Sequence, residues 1–288
     1  MITAIILTYN EEKHLERCLM SVHGLAQNIL VIDSFSTDRT SEIAQNHGAK
    51  FLQRKFINQA DQLNWALENL NIDTEWILRL DADEYLTPEL YKEINDRIKT
   101  IPHNVNGIVF KLRVYFMGKW IKNGGYYPMK LLRMWRNGKA SIDNKMMDER
   151  MNVLSGEILE FNHDLVDENL STLVHWTDKH NNYSTREAIV RLDAKYKFLN
   201  ETEQLVHKSN KQFYLKLPLF FRALFYFCFR FFLKRGFLDG KQGLIWHFLQ
   251  GFWYQFLVDA KIFQIEYLAK KENKTVKQII EEKFNFKF

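Results

Sequence analysis

Three acidic side chains follow an apolar run in the segment EWILRLDADEYL, residues 75–86. Asp81 and Asp83 are one residue apart and Glu84 comes next, directly after a stretch with the length and composition of a buried strand. Mg²⁺ and Mn²⁺ prefer oxygen ligands, and Mg²⁺ typically uses one or two carboxylates together with the phosphates of a substrate. The segment therefore indicates a cation site for a diphosphate, although an isolated pair of this kind is more often a solvated turn that caps the next helix.

Polar clusters also follow two earlier apolar runs of strand length, Thr3–Leu7 and Ile29–Ile32. The clusters consist of Thr8, Tyr9, Asn10 and Glu11 after the first run, and of Asp33 and Ser34 after the second. A weaker strand is predicted at 50–52, and helical patterns lie at 11–22, 38–46 and 58–69, the second capped by Thr37–Asp38. This alternation predicts an α/β fold, Rossmann-like, with a mainly parallel sheet and helices on both faces. Ligands of such sheets bind at the carboxyl ends of the strands, where the polar clusters lie.

Neither of the two glycine-rich phosphate-binding motifs, GxGxxG and GxxxxGK[ST], occurs in the chain. A diphosphate would need another positive partner, and carboxylates supply one only by holding a divalent cation. A nucleotidyltransferase would carry a glycine-rich, basic loop after the first strand, whereas TYNEEKHLE contains no glycine. A nucleic-acid-binding protein would explain the bases of the chain but not the acids at three strand ends, because acids repel phosphate unless a metal is bound.

The motifs TYNEE, VIDS and RLDADE together resemble those of the family 2 glycosyltransferases, which have the GT-A fold, over about the first half of the chain. The resemblance implies an inverting enzyme that transfers a sugar from a nucleotide diphosphate donor with Mg²⁺ or Mn²⁺ as cofactor. Thr8, Asn10 and Glu11 would line the nucleoside pocket, with Glu11 near the ribose. Asp33 would accept a hydrogen bond from the base, most often uracil. The other residues expected at the donor are Tyr9, Gln62, Asn64, Arg79 and Ala82.

The same resemblance assigns the phosphate side of the donor to the DADE segment. Asp81 would approach the ribose or the sugar, and Asp83 would bind the metal that bridges the diphosphate, with Asp81 as a second candidate ligand. The segment NQADQLNWAL is similar to a helix of the family that usually carries Lys or Arg just before the Asn, but that position is Leu63 here. Arg54 or Lys55 would replace the missing cation, or would form a solvated pair of bases.

An inverting transfer needs a general base, because a sugar hydroxyl is too weakly acidic to attack unaided at neutral pH. The segment NKMMDERM contains Asp148 and Glu149 at a place where similar bacterial lipopolysaccharide-core and capsule glucosyltransferases show His-Glu. We expect Glu149 to be the base and Asp148 to raise the pKa of Glu149 by like-charge repulsion. The alternative is an exposed acidic turn that pairs with Arg150.

Candidate acceptor residues are Arg133 and Trp135 in the strand pattern MKLLRMWR, and His175 and His180 in LVHWTDKHNNYSTREA. Arg133 would hold an anionic acceptor, or would lie on the solvent side of its strand. The two histidines, with Tyr183, precede a long helical pattern and would line the acceptor mouth, although core or surface histidines are the default. A zinc site is disfavoured, because the histidines are five residues apart and no third ligand is near.

The C-terminal third of the chain combines basic with aromatic side chains. From Leu205 onward Lys and Arg outnumber Asp and Glu more than twofold, and two aromatic segments surround the turn GFLDG. The first segment has about seventeen residues, barely enough to span a bilayer, and two arginines interrupt it. On a helix at about 100° per residue, Arg222, Arg230 and Lys234 share one arc, which predicts helices that lie on an anionic membrane surface. The alternative is that these helices pack on the catalytic domain or on a second copy in a homodimer.

With 288 residues and 46% hydrophobic composition, the chain can form a large domain with an appendage, and disorder is excluded. We expect a GT-A catalytic domain at 1–177, with a nucleotide-sugar half at 1–100 and an acceptor half at 101–177, followed by an α-helical, amphipathic region at 178–288. The expected reaction moves glucose from UDP-glucose to a lipid-linked saccharide of lipopolysaccharide or capsule biosynthesis, with a polyprenyl phosphate acceptor as the alternative. The N-terminus indicates a strand and not a signal peptide, and the two cysteines fit reduced thiols, so we expect a peripheral protein on the cytoplasmic face of the inner membrane.

Overall fold

The computed structural model describes residues 1–143, 149–198, 214, 217–284 and 286. These residues form two compact units. The first unit comprises 1–122, 126–143 and 149–170 of the described residues, and the second comprises 123–125 and those from Ser171 onward. The domain boundary expected at 177 lies inside a helix of the second unit, Leu173–Tyr196.

The first unit is built on strands that match the apolar runs of the sequence. The strands are β1 (Ile2–Thr8), β2 (Asn28–Asp33), β3 (Lys50–Gln53), β4 (Trp76–Asp81), β5 (Glu84–Leu86), β6 (Val105–Phe116), β7 (Lys119–Trp120), β8 (Met129–Arg136), β9 (Ala140–Ile142), β10 (Met151–Val153) and β11 (Glu157–Glu168). Among the described residues, nine strands form one sheet in the order β3-β2-β1-β4-β8-β6-β11-β5, with β7 paired to β6. Strands β3, β2, β1 and β4 are parallel, whereas β8 is antiparallel to both β4 and β6. The predicted α/β fold is confirmed.

The helices of the first unit lie within the predicted ranges, although the first begins at Leu15, four residues later than predicted. They are α1 (Leu15–Val22), α2 (Thr40–Asn46), α3 (Gln59–Asn69) and α4 (Pro88–Arg97). The Asn58 side chain caps α3 by accepting the N–H of Asp61 at 2.7 Å, and the Thr87 side chain caps α4. Helix α2 starts at Thr40 rather than at residue 38, because the Asp38 carboxylate accepts the N–H groups of Glu12 and Thr40 in the preceding loop.

The second unit is helical, as predicted for the C-terminal region. Its helices are α5 (Leu173–Tyr196), α6 (Phe221–Cys228) with a π-helical extension Phe229–Leu233, α7 (Gly240–Trp246) with a π-helical extension His247–Trp253, α8 (Tyr254–Glu272) and α9 (Val276–Lys283). Helices α5, α8 and α9 share one apolar core, in which Ile189, Val258 and Ile279 are fully buried. Among the residues that the structure describes, no helix combines the length and the apolar character needed to cross a bilayer.

Arg222 does not lie on the outer arc that the helical projection predicts. Its side chain is 4% exposed, and Nε donates to both carboxylate oxygens of Asp259 in α8, at 2.8 and 2.9 Å. Asp259 is fully buried and also accepts the N–H of Phe220 at 2.8 Å. The prediction for Arg222 is wrong because a projection of one helix cannot take account of a partner 37 residues further along the chain.

Candidate functional site

The carboxyl ends of three parallel strands lie side by side in the first unit. β1 pairs with β2 so that Thr8 is opposite Asp33, and with β4 so that Leu7 is opposite Asp81. All seven residues of β1 are buried, as expected for a central strand of a parallel sheet. The polar residues that follow these strands therefore meet at one edge of the sheet.

Asp33 is the buried centre of this edge. Its carboxylate accepts hydrogen bonds from Thr8 Oγ1 at 3.0 Å, from the N–H of Ser36 at 2.8 Å, from the Ser36 hydroxyl, and from Gln53 Nε2 at 3.3 Å. These four bonds use about all the lone-pair positions that a carboxylate offers. A nucleobase that bonds to Asp33 would displace one of them, and the bond from Gln53 is the longest.

The loops that follow β1 and β2 are tied together by Asn10. Asn10 adopts φ +55°, a left-handed conformation that Asn tolerates better than most residues. Its Oδ1 accepts the N–H of Thr37 at 2.8 Å, and its own N–H donates to Ser36 Oγ at 2.7 Å. Tyr9 is 61% exposed at the same edge. Two of the predicted nucleoside residues thus lie on a loop of fixed conformation.

Glu11 is held by a buried histidine that the sequence motifs do not single out. Glu11 Oε2 lies 2.5 Å from His14 Nδ1, and His14 Nε2 accepts the backbone N–H of Leu170 at 2.8 Å. Because Nε2 is the acceptor, we assign the ring proton to Nδ1, which donates to Glu11. The three-residue spacing within NEEKH was the available signal for this contact.

Asp81 lies between two arginines. Arg79 Nη2 is 3.2 Å from Asp81 Oδ1 and 2.9 Å from Gln59 Oε1. Arg133 Nη2 is 3.0 Å from Asp81 Oδ2 and also donates to Glu84 Oε1. Arg133 is 8% exposed, so its side chain packs against the DADE segment and does not lie on the solvent side of β8. The alternative of a solvent-facing Arg133 is therefore wrong, and a contact between Arg133 and the acceptor stays a prediction.

Glu84 is the buried member of the acidic segment. It is 2% exposed and accepts the backbone N–H of Asp81 at 3.1 Å. The pKa of Glu84 is raised to about 7, mainly by burial. The positive charge of Arg133 opposes this shift, and the negative charges of Asp81 and Asp83 contribute to it. Burial lowers the pKa of Arg133, but the carboxylates of Glu84 and Asp81 raise it by more than burial lowers it. The guanidinium therefore stays charged.

Asp83 has a different environment from Asp81. Its Oδ2 accepts a hydrogen bond from Asn169 Nδ2 at 3.1 Å, and its backbone oxygen accepts the N–H of Glu168 at 3.1 Å. Within the described part of the chain it has no ion-pair partner, whereas both oxygens of Asp81 face guanidinium groups. Ala82, between the two aspartates, is 3% exposed. The two aspartates of DADE are therefore not equivalent.

A divalent cation fits Asp83 better than Asp81. Among the described residues, no group of three or more His, Cys, Asp and Glu side chains is arranged as a metal site. Mg²⁺ does not need such a group, because one carboxylate together with substrate phosphates and water completes its coordination. Since Asp81 is already paired with Arg79 and Arg133, the side chains present favour a single carboxylate ligand, Asp83.

The side chains of helix α3 mostly pack into the core behind this edge of the sheet. Leu63 is fully buried in the core with Ile5 and Trp135, so the position at which similar proteins carry a base faces the interior here. Gln62 is 2% exposed and donates to the backbone oxygen of Ile32 at 2.8 Å, so it lies beneath the edge rather than at it. Arg54 Nη2 is 3.0 Å from an oxygen of Asp61. Lys55 is exposed and Asn64 is half-buried.

The residues expected to serve the acceptor are divided between the two units. Asp148 lies outside the described residues. Glu149 lies two residues before β10, and the neighbouring Arg150 accepts the N–H of Asp143 at 3.0 Å through its backbone oxygen. Trp135 is 1% exposed in the core of the sheet, because its side chain points toward α3. The expectation that Trp135 contacts the acceptor is wrong.

His175, His180 and Tyr183 belong to the second unit and lie within α5, which begins earlier than expected because Thr172 caps it. His175 is exposed. The His180 ring stacks on Trp176 with 3.5 Å between centroids, and Nδ1 donates to the Trp176 backbone oxygen at 2.8 Å. Burial lowers the pKa of His180 to about 4, so this histidine is neutral at pH 7.

The fold and the polar sheet edge agree with the result of sequence comparison. The profile of Glycosyl transferase family 2 matches residues 3–156, more than half of the chain, and the chain belongs to this family. It is a glycosyltransferase with the GT-A fold.

Individual relatives extend over most of the chain. The lipopolysaccharide core biosynthesis glycosyltransferase LpsC of Rhizobium meliloti (strain 1021) is 26% identical over 94% of this chain and 95% of its own length. An uncharacterized glycosyltransferase of Rickettsia bellii is 26% identical over 85% of this chain and 80% of its own. Among solved structures, residues 1–349 of TarS from S. aureus align with 95% of this chain and 92% of that chain, at 13% identity and a TM-score of 0.45.

Proposed function

We propose that the protein is an inverting, metal-dependent glycosyltransferase that moves one sugar, glucose from UDP-glucose, to a lipid-linked saccharide of lipopolysaccharide or capsule biosynthesis. The observation that carries this proposal is the difference between two neighbouring carboxylates. Among the described residues, Asp81 is held by two guanidinium groups and Asp83 by none, at the sheet edge that also presents Asp33. Family membership supports glycosyl transfer, and the name of the relative LpsC supports the acceptor class.

The donor would lie across the edge formed by β1, β2 and β4. Asp33 and Glu11, both held by hydrogen bonds within the protein, would bind the base and the ribose. Arg79 and Arg133 hold Asp81 in place, so Asp81 would bind a hydroxyl of the ribose or sugar without further reorganisation. Asp83 would hold Mg²⁺ or Mn²⁺, and this cation, when bound, neutralises the diphosphate and stabilises the departing UDP.

The transfer itself requires one proton acceptor from the chain. Glu149 would take the proton of the acceptor hydroxyl while the hydroxyl oxygen attacks the anomeric carbon of the sugar. The bond between that carbon and the diphosphate oxygen breaks, the configuration inverts, and UDP leaves with the bonding electron pair. Glu149 is half-buried two residues before β10, so solvent and an acceptor can both reach its loop.

The experiment that tests this proposal measures UDP release from a panel of UDP-sugars by the purified full chain. Each reaction is run with Mn²⁺ or with EDTA, and with or without a lipid A core saccharide. We expect UDP-glucose to be the preferred donor, release to stop in EDTA, and the acceptor to accelerate it. Preference for another nucleotide sugar would refute the choice of glucose, and release that EDTA does not change would refute the dependence on metal.

A further inference from the structure

The second unit exposes a dense set of apolar side chains on one helical hairpin. The hairpin comprises residues 221–253, that is, α6 and α7 with their π-helical extensions and the turn between them. Ten large apolar side chains of this hairpin are exposed, and the most exposed are Phe221 at 71%, Phe225 at 73% and Leu233 at 75%. Exposed apolar patches of this density mark interaction surfaces.

These exposed side chains do not belong to a loosely packed region. Phe227 joins the two arms of the hairpin, with its ring centroid 6.1 Å from that of Phe248. His247 is fully buried, and a Cβ added at Gly124 or Gly236 would meet its ring at 2.0 or 2.3 Å, so both positions require glycine. The hairpin therefore has a packed interior, and the outward aromatic side chains do not contribute to it.

The exposed charges of the hairpin have one sign. Lys234, Arg235 and Lys241 are exposed at and next to the turn. The one acid among residues 217–258 is Asp239, which is 3% exposed and accepts hydrogen bonds from the backbone and side chain of Asn123 at 2.9 and 2.6 Å. The turn thus presents three cations and no accessible carboxylate, next to exposed Phe232.

The cations and the apolar side chains share a surface. Lys241, Leu244 and Phe248 are three or four residues apart in a continuous helical segment, so they fall on one side of the second arm. Leu244 and Phe248 are 47% and 45% exposed. On the first arm, Phe221 and Phe225 are four residues apart in α6, so they lie on one side of this helix. Each arm of the hairpin therefore has an outward apolar side that leads to a basic turn.

We propose that this hairpin binds an anionic lipid bilayer, with the turn directed into the headgroup region. Phe232 and Leu233 would enter the acyl boundary, while Lys234, Arg235 and Lys241 contact lipid phosphates. This arrangement differs from the in-plane helix that the sequence predicts, because Arg222 is committed to Asp259 in the interior. The proposed binding of the hairpin to a bilayer does not depend on which sugar the protein transfers.

A second copy of the chain fits this surface less well than a bilayer. In a two-fold dimer the same patch faces itself, so the three cations would meet three cations with no acid between them. An anionic bilayer complements both properties of the surface, since its phosphates pair with the cations and its acyl chains accept the aromatic rings.

The test is co-sedimentation of the full-length protein with vesicles of phosphatidylcholine alone or mixed with phosphatidylglycerol. We expect binding to the mixed vesicles that weakens as salt is raised. The variant Lys234→Gln/Arg235→Gln/Lys241→Gln should bind them about one hundredfold less well, at about fivefold per cation. Phe225→Ser/Leu233→Ser should lose at least about tenfold. The matched control Met20→Ser/Leu154→Ser, at 63% and 64% exposure in the first unit, should bind like the wild type.

Light scattering on the same variants distinguishes a bilayer from a second copy of the chain as the partner of this surface. A wild-type dimer that Phe225→Ser/Leu233→Ser converts to monomer, with no loss of vesicle binding, would overturn the proposal in favour of a protein interface. Equal binding to neutral and anionic vesicles would overturn the role of the cations. UDP release by these variants without vesicles should equal that of the wild type, so failure here is distinguishable from failure of the proposed enzymatic function.

Discussion

Arg133 Nη2 lies 3.0 Å from Asp81 Oδ2 and donates to Glu84 as well, so one guanidinium nitrogen joins the first and last acids of the DADE segment. Arg133 comes from β8, more than forty residues after DADE in the chain. The contact fixes the first aspartate of the segment and leaves Asp83 as the carboxylate without an ion pair among the described residues. The segment therefore combines one preset carboxylate with one that can take a cation.

The first prediction concerns the buried pair of Arg133 and Glu84. Removing one partner of such a pair costs up to about 3–5 kcal/mol, because the remaining group must either stay charged without compensation or change its protonation state. We expect Arg133→Met to lower the free energy of unfolding of the first unit by about this amount in urea titration. Arg39→Met removes an exposed arginine that pairs with Glu42, and should leave the urea midpoint unchanged.

A double variant tests whether the loss arises from the orphaned acid. In Arg133→Met/Glu84→Gln neither charge of the pair remains, so the protein should be more stable than Arg133→Met alone. If the double variant is no more stable than the single variant, then Arg133 stabilises the protein by a means other than this pair.

The second prediction is that His14 positions Glu11 for the donor. His14→Asn removes the ring that links Glu11 to the backbone of Leu170. Loss of a hydrogen bond to a charged group is worth about 1.5–3 kcal/mol, so we expect KM for the donor to rise by about tenfold or more with a smaller change in kcat. His23→Asn, an exposed histidine of the same unit, is the control. Equal effects of His14→Asn in the wild type and in a Glu11→Gln background would argue against coupling of the two residues.

The third prediction is acid sensitivity of the second unit through His247. Burial, together with the charge of Arg230, lowers the pKa of His247 to about 4, and Asp239 opposes the shift. The unfolded chain binds this proton near pH 6.5, so the stabilisation is complete above pH 6.5 and is lost as the pH falls toward 4. The wild type should lose about 2–3 kcal/mol over this window from His247.

The measurement for His247 compares urea unfolding of the wild type and His247→Asn at several pH values. The variant is less stable at neutral pH, because a smaller side chain leaves space beside Gly124 and Gly236, but the difference should shrink as the pH falls. The exposed His175 serves as control, and His175→Asn should follow the wild type at each pH. A difference between wild type and His247→Asn that stays constant from pH 7 to pH 4 would contradict the expected titration.

The fourth prediction assigns the base. Glu149→Gln keeps the size of the side chain and removes its basicity, so kcat for transfer should fall by about 10²–10⁴-fold while UDP binding is unchanged. Arg150→Gln alters the next residue, and should keep most of the activity. Similar losses in both variants would indicate that the loop before β10 is needed for its conformation and not for a proton acceptor.

The sheet and its polar edge could be predicted from the sequence because local signals determine them. The apolar runs at β1, β2 and β4 have strand length and end at polar residues, and parallel pairing then brings Thr8, Asp33 and Asp81 to one edge. The cap at Thr87 follows from the same kind of local chemistry.

Three site contacts could not be predicted because they join distant parts of the chain. Arg133 alternates with apolar residues in β8, a pattern that is equally consistent with a solvent-facing arginine, and only the sheet order brings it to Asp81. Trp135 lies two residues further on, and its burial depends on where α3 packs. His14 accepts from Leu170 at the other end of the unit. Each of these contacts can be identified only once the tertiary structure is known.

The most direct test of the central claim is calorimetric titration of UDP into the full-length protein with Mn²⁺ and with EDTA. If Asp83 holds the cation that binds the diphosphate, Mn²⁺ should strengthen binding to the wild type by more than about 1.4 kcal/mol, or tenfold in Kd. Asp83→Asn should lose this gain, and Asp96→Asn, an exposed carboxylate of α4, should keep it. UDP binding that is indifferent both to EDTA and to Asp83→Asn would contradict the account, and would leave DADE as a structural turn between β4 and β5.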